Sequence, residues 1–217
     1  AAFDAGALSV SEYLDAAPRF ATATQGDVIT APLGNLEWIK ERVATAAQRD
    51  RIDAMLRDIW GEQLRKLGVE PGATESESTK SLRTDLVDAL IEHGQPKWLM
   101  DELAARGRRV LGLGGDGLLA VDSVHRDLLA PSLRAAVMAD GSKAFDLAEQ
   151  HLTRSEDSVV RSALMAALTS SKDVALMKRA LALGLGAHVK SGEMGRIYFS
   201  AESDPALHPL LWDFVIG

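Results

Sequence analysis

The sequence contains no cysteine. That excludes disulfides, thiolate zinc sites, iron–sulfur clusters and thiol catalysis. It also lacks any run of Lys and Arg. With 24 basic and 31 acidic residues and a formal net charge of −7, there is no cationic footprint for nucleic acid, so none is expected as a partner. No apolar run approaches the roughly 20 residues of a membrane span, so no membrane partner is expected either. Strand signals are nearly missing, "GRIYFS" at 195–200 being the sole stretch of β-like composition. A G-x-S-x-G elbow is absent, and none of the five histidines (His93, His125, His151, His188, His208) stands four residues from another. A zinc-peptidase H-E-x-x-H therefore cannot be assembled. No catalytic, cofactor-binding or metal-ligating residue is expected in this chain, and each histidine is expected at the surface or in a turn. The start, "AAFDAGALSV", has neither a basic n-region nor a long h-region, which predicts no signal peptide. It has no initiator Met, so the chain is expected to begin partway through a longer protein, in the cytoplasm.

What the sequence has is helical period. Its 217 residues, 47% of them hydrophobic, suit one globular domain or two small ones. Ser9 and Glu12 form a capping-box pattern that starts a helix, and Pro18 ends or bends it. A second helix is predicted over 27–47, weakened by Pro32 and Gly34. In "DRIDAMLRDIWGEQLRKLG" the apolar residues repeat at three and four, and Gly68 is a natural stop. Asp53/Arg57 and Glu62/Lys66 are placed as i,i+4 pairs. Residues 69–79 are predicted to be a loop in which Glu75 and Glu77 are solvated. Helices over 82–93 and 96–113 follow, turning at Gly94–Gln95. Pro131 is predicted as the first residue of a helix. Further short helices run to "ALHPLLWDFVIG". Trp38, Trp60, Trp98 and Trp212 are expected as core or inter-helix anchors, and the methionines as core fillers.

Gly112, Gly114 and Gly117 match G-x-G-x-x-G inside "RRVLGLGGDGLLAVDS". A dinucleotide loop needs a strand before it and a helix opening on its last glycine. Here a helix precedes, and Arg108 and Arg109 suit its C-terminus. The glycines are expected to form a corner between helical units, and an NAD(P)-dependent enzyme has no other support.

The helices rhyme loosely. Arg83, Arg134, Arg161 and Arg196 each stand just inside a helix, followed by small and aliphatic residues, a turn and a second helix. Loosely repeating pairs predict an all-α, HEAT-like α-α superhelix of short antiparallel helix pairs, forming a single repeat domain over 1–217. Each arginine either bridges within its repeat, as Arg161 could to Asp157, or lines a concave face.

Four stretches, "DAGALSVSEYL", "LGVEPGATESESTKSLRTDLVDAL", "APSLRAAV" and "DVALMKRALALGLGAHVKSGE…LLWDFV", carry in their order a resemblance spanning nearly the whole chain. Together they resemble the C-terminal helical domain of the aminopeptidase N / puromycin-sensitive family of zinc aminopeptidases. Val69 stands where that family usually has Trp, Glu193 stands where Asp is usual, and the region from Gly112 to Leu129 is longer. The resemblance implies a non-catalytic C-terminal fragment, itself truncated at its end, that caps the active-site cleft and contacts the distal part of peptide substrates. It implies two partners, the enzyme's own catalytic domain and the peptide, with the zinc in that catalytic domain. Arg134, Arg161 and Arg196 are the candidates to face substrate, one of them drawing the peptide's C-terminal carboxylate. The competing reading is a free-standing HEAT-like module that binds a protein.

Overall fold

A computed structural model describes residues 8–203 and 207–216. The "DAGA" that opens the first resembling stretch lies outside the described residues. The described residues contain helices and turns and no strand, so the all-α expectation holds and "GRIYFS" is helical. The chain divides into two compact units, Ala1–Lys97 and Trp98–Gly217.

In the first unit, α1 (Val10–Ala16) starts on a complete capping box: Ser9 Oγ accepts from the Glu12 amide, and the Glu12 carboxylate accepts from the Ser9 amide. A 3-10 stretch holding Pro18 follows. The predicted 27–47 helix is broken at Pro32 into α2 (Gly26–Thr30) and α3 (Leu33–Arg42). Next, α4 (Ala46–Met55) passes through a π turn at Leu56–Trp60 into α5 (Gly61–Leu67). Gly68 then stops α5 at φ +84°, a conformation glycine adopts without a Cβ penalty. Helix α6 (Glu77–Glu92) starts inside the predicted loop, because the Ser76 hydroxyl caps the Thr79 amide. It packs on α2 and α5.

The second unit begins one residue into α7 (Lys97–Leu111) and continues with α8 (Leu129–Asp140), α9 (Ser142–Arg154), α10 (Ser158–Leu168), α11 (Val174–Gly184), α12 (Met194–Ser203) and α13 (His208–Ile216). Helix α8 packs against both α9 and α10, α11 meets α12, and α12 meets α13. Their shared core includes Leu111, Leu133, Phe145, Leu164, Met177 and Leu181. Pro131 is the third residue of α8, not the first, because a 3-10 turn at Arg126–Leu128 leads the chain in early. The position still suits proline, since first-turn amides have no intrahelical acceptor.

The aromatic expectation divides. Trp60 is fully buried and its indole donates to the Ile29 carbonyl at 2.9 Å, whereas Trp38 and Trp212 are 50% and 65% exposed. Met55, Met165 and Met177 are core residues as expected. His151 is a correction: it is buried on α9, with Nε2 3.1 Å from the Leu111 carbonyl.

Candidate functional site

The four rhyming arginines occupy different environments. Arg161, in the first turn of α10, has a side chain only 4% exposed. Its Nε and Nη2 donate to the two oxygens of Glu193 at 2.8 and 2.6 Å. Nη1 donates to the carbonyls of Leu152 and Ser155, and Nη2 also to that of His188. One guanidinium thus ties the end of α9, the start of α10 and the loop before α12. Its carboxylate partner is Glu193 and not Asp157. Asp157 instead caps α10, accepting from the Val159 and Val160 amides, because a side chain at the N-cap reaches those amides with no loss of helix geometry. The hydrogen bonds from Arg161 hold the Glu193 carboxyl down at about 2, against an ordinary 4.5.

Arg83 repeats this design in the first unit. Its Nη1 and Nη2 donate to the two Glu75 oxygens at 2.6 and 2.5 Å, and its Nε donates to the Gly68 carbonyl. Glu75 is therefore half of an ion pair and not a solvated loop acid, and those hydrogen bonds lower its pKa. Glu77, by contrast, is exposed and pairs with Lys80.

Arg134 and Arg196 differ. Arg134 is half-buried on α8, and its carbonyl accepts from the Ser170 hydroxyl. Arg196 is exposed in the first turn of α12, where its amide donates to the Glu193 carbonyl and its Nη1 to Ser162 Oγ at 2.6 Å. Glu193 is the partner that Arg161 anchors and Ser162 is the chain neighbour of Arg161, so the Arg161–Glu193 pair fixes the base from which Arg196 projects.

A second constellation was not read from the sequence. The turn after α6 docks on α4 and its π turn: the Gly94 amide donates to Asp53 Oδ1 at 3.1 Å, and Arg57 Nη1 donates to the Gly94 carbonyl. A Cβ on Gly94 would lie 2.9 Å from the Arg57 amide nitrogen, so only glycine permits this approach. Docking carries His93 toward α3. Lys40 Nζ lies 2.5 Å from Asp53 Oδ1 and 3.2 Å from His93 Nδ1. Asp53 thus pairs with Lys40 and the Gly94 amide, not with Arg57 as its spacing implied. Glu62 likewise pairs with Arg65, not Lys66. On the same helix, Glu37 three residues before Lys40 and Glu41 directly after it bring carboxylate oxygens toward the His93 ring. One ligand-type atom from each of the three side chains lies within 4.8 Å of the others. Glu37 is exposed as a residue, but partial desolvation of its carboxylate, and secondarily the Glu92 carboxylate, raises its pKa. The i,i+4 spacing of Glu37 and Glu41 is visible in sequence. His93 is over fifty positions away and only the folded turn brings it near.

The glycine stretch is a corner. After α7, Gly112, Gly114 and Gly117 take φ of +68°, +84° and +71°. Gly115 and Gly117 amides both donate to the Gly112 carbonyl, and the Ala120 amide caps the Val110 carbonyl. Amides turned inward onto the corner cannot cradle a phosphate.

Fold and polar groups define an all-α domain whose best-connected cations hold helices together. The sequence profile of the ERAP1-like C-terminal domain matches residues 1–216. The chain belongs to that family, the C-terminal domain of M1 aminopeptidases. A comparison with curated proteins returned no match. Among the described residues, no helix is long and apolar enough to cross a membrane.

Proposed function

We propose that this chain is the non-catalytic helical domain that caps the active-site cleft of a zinc-dependent aminopeptidase and contacts the distal part of its peptide substrates. The family match over 1–216 carries this reading. In it, the helix pairs stack as a HEAT-like superhelix, and the domain's partners are the enzyme's catalytic domain and the peptide. The catalytic zinc belongs to that catalytic domain. The family's zinc chemistry needs two histidines four apart on a helix with a further Glu, and the histidines of this chain do not fit that set.

Geometry supports a division of labour among the arginines. Arg161 gives its donors to five internal acceptors, so its part is to hold α12 in place. Arg196, exposed and anchored at one nitrogen to Ser162, keeps donors for a carboxylate, and Arg134 is the second candidate. A peptide whose far end is held by a charge-assisted hydrogen bond is positioned along its length. Closure of the cap over it would gate turnover.

The test uses peptides differing only at their end. In the parent enzyme, Arg196→Ala should raise KM about tenfold for a ten-residue peptide with a free C-terminal carboxylate, leaving its amidated form and a single-residue aminoacyl reporter unchanged. Equal effects on all three substrates would sink the assignment of Arg196. A parent reading frame without a zinc-peptidase motif upstream would sink the cap itself and favour the free-standing interaction module.

A further inference from the structure

We propose that Glu37, Glu41 and His93 form a binding site in this chain for a borderline divalent cation of the zinc class, which would tie α3 to the turn after α6. The site lies wholly within the first unit.

Two observations carry it. The first is geometric. Glu37 and Glu41 stand one helical turn apart on α3, and their oxygens and one imidazole nitrogen of His93 lie mutually within 4.8 Å. A tetrahedral ion with bonds of about 2.0–2.2 Å places its ligand atoms about 3.4 Å apart. The remaining closure is within the reach of a rotamer change at exposed Glu37. The second is the donor set: two carboxylates and an imidazole are ligand types that zinc accepts. The imidazole selects the class, since calcium and magnesium take oxygen ligands and nitrogen suits zinc and its neighbours.

Lys40 is the competitor. Whichever ring nitrogen binds the ion, the ammonium either occupies that nitrogen or repels the ion beside it. Binding should thus strengthen when Lys40 loses its charge.

Isothermal titration of the full chain with zinc chloride at neutral pH tests this. The expected result is one saturable equivalent, weakened more than about tenfold by Glu37→Gln or Glu41→Gln, abolished by His93→Gln and tightened by Lys40→Met. Glu37 is exposed, so Glu37→Gln should leave the circular dichroism spectrum unchanged and report on ligation alone. The histidine ring resonances provide a second readout: His93 should shift on zinc addition while His125, His188 and His208 do not. The absence of a saturable equivalent would overturn the proposal. So would zinc binding of unchanged strength in both the Glu37→Gln and Glu41→Gln proteins.

Discussion

Replacing Arg161 by Met keeps its aliphatic stem and removes every donor. Both Glu193 oxygens and the carbonyls of Leu152, Ser155 and His188 would then lose the donors of Arg161 together, the Lys190 amide alone still serving Glu193 Oε2. Because the pair sits at 4% and 15% side-chain exposure, water replaces those bonds poorly. Truncating one member of such a pair costs about 3–5 kcal/mol, and that is the loss expected from urea unfolding of Arg161→Met. Arg161→Lys should recover less than half, since a single ammonium cannot span a bidentate carboxylate and three carbonyls. Removal of surface Arg51, whose pair with Asp15 is 45% and 70% exposed, should cost under about 1 kcal/mol. A cost for Arg161→Met no larger than that of Arg51→Met would show that the connections around Arg161 are not what holds α12.

Between elements, a close backbone approach joins α7 and α8. A Cβ placed on Gly107 would sit 2.0 Å from the Ser132 carbonyl oxygen and 2.7 Å from Ala136 Cβ. The first of these is backbone and cannot rotate away, so Gly107→Ala forces the helices apart. The expected loss is about 3 kcal/mol in chemical denaturation. Gly34 in α3 has nothing within 4 Å of the added Cβ, and Gly34→Ala should gain about 0.5–1 kcal/mol by helix propensity. Opposite signs from one substitution type would locate the constraint in the crossing. At this scale the sequence was legible where the cause is local. The Ser9–Glu12 capping box, the Gly68 stop and the Gly112–Gly117 corner each depend on residues a few positions apart. Glu75 with Arg83 was missed at eight residues and Glu193 with Arg161 at thirty-two, because only packing brings those loops onto those helices. The i,i+4 partners proposed for Asp53 and Arg161 failed for the same reason, since packing brings Lys40 and the Gly94 amide to Asp53 and Glu193 to Arg161, whereas Glu62 pairs with exposed Arg65 three residues on in its own helix. The His93 constellation was least legible, since it requires a turn to dock on a π-bulged helix.

Across the whole molecule, the carboxylates divide by the sign of their response to acid. Glu193 is held at about 2, below its ordinary 4.5, chiefly by the Arg161 hydrogen bonds. Glu75 is lowered by Arg83, and Asp157 and Glu12 by hydrogen bonds from helix-start amides and, for Glu12, from Ser9. A group with a depressed folded pKa contributes stability that is complete above its unfolded pKa and is lost as pH falls through the folded one. Glu37 and Asp85 run the other way: burial first, then Glu92 and Asp27 respectively, raise them. Each therefore costs stability at neutral pH, and the cost disappears as its carboxyl protonates. The folding free energy of the chain should hold near neutrality and fall between about pH 4.5 and 2, the window in which Glu193 takes up its proton. In urea titrations at successive pH values, Glu193→Gln should be weaker than the parent at pH 7 and lose less on acidification across that window. Glu37→Gln should instead be more stable than the parent at pH 7, the advantage vanishing below about pH 4.5. A Glu193→Gln protein with the parent's full acid slope would mean that the loss comes from net charge spread over the chain, not from the Arg161 pair. The same titration separates the two carboxylates by sign, which no general charge repulsion among the excess acids can do.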